Sequence, residues 1–136
     1  MTDQLYQDRI VALAKAKTGA GKLAAPTKSA RRDNPLCGDR VTMDVRLDDQ
    51  GRMAELAHQV RGCALCQASA VALAARAQGR PTSDVAGLRA EIDAVLDGSA
   101  AGEGDFAAFA PVRQYRARHD CVTLPFEALQ AALDGR

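Results

Sequence analysis

The chain has 136 residues, of which 47% are hydrophobic and 26% charged, with four cysteines, no Trp and a formal net charge of +1. That length holds one domain over residues 1–136, large enough for a single core without disulfide staples. The balanced charge excludes a strong field toward nucleic acid or anionic lipid. Residues Asp3–Lys17 read as a helix, with Tyr6, Ile10, Leu13 and Ala14 on one stripe. Gly19 and Gly21 end it, and Lys22–Arg32 reads as a loop or irregular extended stretch. Lys15, Lys17, Lys22, Lys28, Arg31 and Arg32 thicken the positive charge there and read as solvated. Asp33-Asn34-Pro35 is turn chemistry. Arg40–Leu47 alternates, with Val41, Met43, Val45 and Leu47 on one face, which is the period of a half-buried strand. Asp48–Gly51 is a hairpin turn and Met53–Val60 the returning strand. Ala64–Gln78 is helical and closed by Gly79. Pro81–Asp84 opens a helix to Leu96, with Thr82 or Ser83 as cap. Ser99–Asp105 is a polar loop, and Phe106–Ala110 a short helical turn cut by Pro111. Asp120–Leu133 is the last helix, which accommodates Pro125 only in its first turn.

No stretch approaches the length of a membrane span, and Met1–Tyr6 lacks the basic start of a secretory signal. The expected location is the cytoplasm. Four cysteines in a reducing compartment are seldom two disulfides, so metal binding or thiol chemistry is the expectation.

Three short pieces carry the chemistry. Cys37-Gly38-Asp39 precedes a strand, Gly62-Cys63-Ala64-Leu65-Cys66 joins a strand to a helix, and Arg118-His119-Asp120-Cys121 opens the last helix. All lie at element ends, where loops can converge on one face. A cysteine at a helix N-terminus meets free N–H groups and the positive end of the dipole, which favour thiolate. Cys63 and Cys121 take such positions. Asp39, two residues after Cys37, can face the same ion, and three thiolates with one carboxylate complete a tetrahedral zinc site. Gly38 and Gly62 permit sharp turns or close approach beside the ligands. Cys63-x-x-Cys66 alone suggests a redox pair or half a zinc site. There is no second such pair, and a hairpin rather than a βαβ unit precedes it.

The run Asn34-Pro35-Leu36-Cys37-Gly38-Asp39-Arg40, the hairpin, Gly62-Cys63-Ala64-Leu65 and Arg118-x-x-Cys121-x-x-Leu124 resemble the three signature segments of the IscU/SufU/NifU N-terminal family. The resemblance implies an α+β fold, a small antiparallel sheet of about three strands with helices packed against it. It implies a metal site of Cys37, Asp39, Cys63 and Cys121, and a pyridoxal-phosphate cysteine desulfurase, SufS-like, as partner. The long stretch from Cys63 to Cys121, Val112-Arg113 and Ala117-Arg118 look closest to the SufU type. So do Asp120 directly before Cys121 and the lack of a Leu-Pro-Pro-Val-Lys motif. Ala14–Leu23 stands where the family usually has an Asn-Pro-Arg-Asn-like element.

The resulting expectation is a zinc-bearing sulfur acceptor, an enzyme in the sense of a zinc-dependent sulfurtransferase. Cys121 takes persulfide sulfur and a further component of the assembly system receives it. The alternative is a scaffold on which Cys37, Cys63 and Cys121 hold a transient [2Fe–2S] cluster. Neither nucleic acid nor membrane is expected as a partner. Cys66 reads as a buried filler rather than a spare thiol or substitute ligand, and His58 as an exposed or satisfied histidine.

Overall fold

A computed structural model of the chain describes residues 2–35 and 38–135, without the side chains of residues 2–7. In chain order the elements are α1 (Thr2–Ala16), β1 (Lys28–Asn34), β2 (Asp39–Leu47), β3 (Met53–Arg61), α2 (Ala64–Ala77), α3 (Val85–Asp97) and α4 (His119–Asp134). Short 3₁₀ segments lie at Thr82–Asp84, Gly104–Gln114 and Arg116–Arg118. The three strands form one antiparallel sheet in the order β1-β2-β3. The helices pack against it, which is the α+β architecture expected. No described helix is long and apolar enough to cross a membrane.

The alternation of β2 sets the layers. Val41, Met43 and Val45 are fully buried and enter the core with Leu65, Leu73, Val122 and Leu129 of α2 and α4. All three Phe are buried, and Phe106 meets the edge of Phe126 at 5.5 Å between ring centres. Arg76 lies over Phe106 at 4.6 Å and pairs with Glu91 at 2.8 and 3.0 Å, tying α2 to α3.

Four local expectations are corrected. β1 begins inside the stretch read as irregular, because Lys28–Asn34 buries only Ala30 and Asn34 and shows no apolar alternation. Its strand state comes from pairing with β2 and from Ala30 packing on Ala131 and Ala132 of α4. A 3₁₀ turn, closed by the Asp84 N–H on the Pro81 carbonyl at 3.0 Å, leads into α3, and no side-chain cap is made there. The segment Gly104–Gln114 runs through Pro111. Pro125 lies in the second turn of α4, beyond the first turn where it was expected.

Between α1 and β1 the chain forms a strap over the sheet. Gly19 and Gly21 pair in parallel with the backbone of His58 on the β3 edge. Leu23 then donates its N–H to buried Asp44 on β2 at 3.2 Å, and Thr27 joins Val45. His58 is buried, and its Nε2 lies 2.9 Å from the Thr18 carbonyl. A Cβ on Gly19 would meet that nitrogen at 3.3 Å, so glycine lets the strap lie close.

Burial pushes the His58 pKa below its ordinary value, against a smaller raising effect of the Thr18 hydrogen bond. The unfolded chain therefore takes up the proton first as pH falls. Stability held above pH 6.5 is lost as pH falls from there through the lower folded value. Denaturant melts of metal-free protein at pH 7.5 and 5.5 are expected to show this loss, and His58→Gln to flatten it. An unchanged slope in the variant refutes the assignment.

Candidate metal centre

Asp39 opens β2 and is almost fully buried, at 2% exposure. The turn out of β3 brings Gly62 and Cys63 against it. Cys63 is the N-cap of α2, in an extended conformation with φ −74° and ψ 168°. Its backbone N–H donates to Asp39 Oδ1 at 3.2 Å, and its Sγ lies 3.7 Å from Oδ2. Cys121 sits in the first turn of α4 and is fully buried, at the head of a run of six buried residues from Cys121 to Phe126.

Asp39, Cys63 and Cys121 each offer one ligand atom, and these atoms lie within 4.8 Å of one another. Three of the four residues expected from the sequence are thus brought together from a strand start, a strand–helix junction and a helix start. Cys37 lies outside the described residues. Tetrahedral zinc, with bonds of about 2.3 Å to sulfur and 2.0 Å to oxygen, sets its ligand atoms about 3.5–3.8 Å apart. The 3.7 Å separation of Sγ and Oδ2 matches that, and the donor set of thiolates with one carboxylate suits zinc.

Cys66 is buried in the main core and is not one of this group. His119 is also outside it: its Nε2 lies 3.0 and 3.2 Å from the carbonyls of Val112 and Arg113.

Gly62 explains the tightness of the site. A Cβ there would lie 2.7 Å from Asp39 Cγ, closer than nonbonded carbons come, and a tight 3.1 Å from Asp39 Cβ. Gly62→Ala must therefore displace the Asp39 carboxylate or the β3–α2 turn. The expected result is a zinc affinity about 10–100-fold weaker, the range seen when groups supporting a metal site are lost. Competition with a chromophoric chelator measures it, and wild-type affinity in the variant refutes it.

One positioning residue escaped the sequence reading. Ser69, buried on α2, donates its hydroxyl to the Val122 carbonyl on α4. Pro125 has no N–H to offer the Cys121 carbonyl four residues back, and the Ser69 bond separately ties the next carbonyl of α4 from outside the helix. Ser69 thereby links the two helices that carry Cys63 and Cys121. The only signal in the sequence was a lone hydroxyl among the alanines of α2.

The profile of the NifU-like N-terminal domain matches residues 5–134. The chain is 27% identical over 132 residues to the iron–sulfur cluster assembly scaffold protein IscU of Thermotoga maritima, covering 95% of this chain and 92% of that protein. It is 28% identical to the zinc-dependent sulfurtransferase SufU of Bacillus subtilis, over 72% of this chain and 69% of that one. Among solved structures it resembles the N-terminal part of a nitrogen-fixing NifU-like protein from Brucella abortus. That match has a TM-score of 0.85 and 33% identity, and covers 97% of this chain and 94% of the other.

Proposed function

The chain belongs to the NifU-like N-terminal domain family, and on that premise we propose that it is a sulfur acceptor in iron–sulfur cluster assembly. The observation that carries the proposal is the convergence of Asp39, Cys63 and Cys121 within 4.8 Å. Zinc fits that donor set, with Cys37 as the fourth ligand by family likeness. Bound there, the ion supplies positive charge that keeps the sulfur ligands deprotonated at neutral pH. Support for the SufU-like reading is the donor chemistry, the Asp120-Cys121 pair and the similarity to a zinc-dependent sulfurtransferase.

The partner in this reading is a cytoplasmic cysteine desulfurase carrying a persulfide. The Cys121 thiolate attacks the outer sulfur of that persulfide. A new S–S bond forms on Cys121, the donor's S–S bond breaks, and its electron pair leaves as the donor thiolate, which takes up a proton. No electron is lost or gained overall, as in thiol–disulfide exchange. Because Cys121 is fully buried, the first turn of α4 must open for the attack. Pro125 lowers the cost of that opening by removing one helical hydrogen bond.

The second reading is a scaffold holding a transient [2Fe–2S] cluster on Cys37, Cys63 and Cys121, and it is favoured by the similarity to the Thermotoga protein. An iron-free desulfurase assay separates the two. A sulfur acceptor is expected to raise alanine production many-fold without iron, because it clears the persulfide that blocks the next turnover. No stimulation, together with efficient cluster formation once iron is supplied, selects the scaffold.

A further inference from the structure

The strap covers only part of the β3 edge. His58 sends both its N–H and its C=O to Gly19 and Gly21. In an antiparallel ladder, backbone groups two residues apart point to the same edge. The β2–β3 register runs without a shift from Met43↔His58 through Val41↔Val60 to Arg40↔Arg61. The N–H and C=O of Val60 therefore face the same free edge as those of His58. No described residue pairs with them there. Gly21, at φ +132°, ends the pairing where the strap turns to Leu23 and Asp44.

In front of Val60 lies a cavity of about 390 Å³. Ala14 and Val71 supply apolar walls, Gln67 an amide, and Lys17 and Arg61 two exposed cations, while no acidic side chain lines it. Arg61 has no ion pair among the described residues. Along β3 the cavity's lining ends at Arg61, the residue before Gly62 and Cys63.

An unpaired donor and acceptor on a sheet edge are a template for an added strand. Apolar walls beside the edge select alternate side chains of such a strand. Two cations with no carboxylate lining the same cavity select its charge, although Arg61 also borders a second pocket that Asp33 and Asp39 line. We propose that the open end of the β3 edge, at Val60 between Lys17 and Arg61, binds a short extended acidic segment of a partner polypeptide by strand addition. The segment continues the line of the strap and passes beside the centre. The proposal goes beyond sulfur transfer and does not depend on it, because docking is read without desulfurase, iron or zinc.

The test is fluorescence anisotropy of the full-length protein with a labelled decapeptide of alternating Asp and Val. Saturable binding is expected with a Kd on the order of 10–100 µM, as suits few hydrogen bonds and a screened charge contribution. A Lys–Val decapeptide and an Asp–Val decapeptide N-methylated on alternate residues are expected to bind at least about tenfold more weakly. Val60→Pro removes the edge donor but leaves the β2 ladder intact, since proline is tolerated where a strand N–H faces outward. It is expected to weaken binding about tenfold. Arg61→Glu, which touches no backbone pairing, is expected to do the same and to favour the Lys–Val peptide. The two charge and peptide arms decide the matter if Val60→Pro does not fold. Absence of saturation up to about 1 mM peptide, a range that covers weak binding, overturns the proposal. So does equal binding of the N-methylated peptide. Displacement by citrate at the same concentration would make the cavity a small-anion site. Sedimentation showing a dimer that Arg61→Glu dissociates would make it a self-interface. Either result also rejects the proposal.

Discussion

Cys63→Ser is expected to purify without zinc, while Cys66→Ser keeps one zinc per chain. The two thiols are three residues apart and both belong to α2 or its cap, yet their surroundings differ. Cys63 Sγ lies 3.7 Å from the Asp39 carboxylate, within the group that also holds Cys121. Cys66 is fully buried among the apolar side chains of the core. Serine at 63 offers a hydroxyl where zinc prefers thiolate. Serine at 66 places a hydroxyl in the core and is expected to lower stability modestly without touching the metal. A ligand present at a thousand times its Kd stabilises the folded state by about 4 kcal/mol. For a domain of this size, such a loss shifts the melting temperature by on the order of 10 °C. Chelation of wild-type protein and the Cys63→Ser substitution are therefore expected to lower the melt by similar amounts. Asp39→Ala is expected to weaken zinc retention while leaving every thiol titratable. Metal analysis and thermal melts decide it. Equal zinc loss in the Cys63 and Cys66 variants points to a Cys63–Cys66 chelate, and a melt unaffected by chelation removes zinc from the stability of the fold.

Legibility in the sequence followed how locally each feature is specified. The alternation of Val41, Met43, Val45 and Leu47 and the Asp48–Gly51 turn specify their hairpin within a dozen residues, and the hairpin is there. β1 was missed because its partners are remote: Arg31 and Arg32 are strand residues only since Thr42 and Val41 stand opposite. The first-turn expectation for Pro125 followed local preference alone, whereas α4 starts at His119, six residues earlier. The three residues that converge, Asp39, Cys63 and Cys121, were legible as a group because each sits next to a glycine or at a helix start. Its geometry was not. That a Cβ at position 62 would collide with Asp39 depends on a strand end and a strand start meeting across 23 residues of chain. The burial of Cys121 was equally invisible, because the run from Cys121 to Phe126 is enclosed by other elements on all sides rather than along one helical stripe.

Cys121→Ala is expected to abolish the stimulation of a desulfurase in the absence of iron. The stimulation measures removal of the blocking persulfide, so it requires a thiolate that attacks and then holds the transferred sulfur. Two thiols at the described centre compete for that role, and their exposure ranks them oppositely to the family likeness. Cys63 is half-buried and more accessible, whereas Cys121 is fully buried. The assignment to Cys121 therefore depends on motion: the start of α4 has to open, which the missing amide of Pro125 favours and the Ser69 hydrogen bond to Val122 resists. Removing that restraint with Ser69→Ala is expected to leave stimulation intact or raise it, in contrast to the complete loss in Cys121→Ala. Cys66→Ser, at a residue that is not one of the converging group, is expected to stimulate like wild type. Mass spectrometry of the wild-type protein after one turnover locates the extra sulfur atom. Its presence on a Cys121 peptide supports the assignment. Retained stimulation in Cys121→Ala, with the extra sulfur on a Cys63 peptide, transfers the acceptor role to the more exposed thiol. In that case the buried thiol serves only to hold the metal.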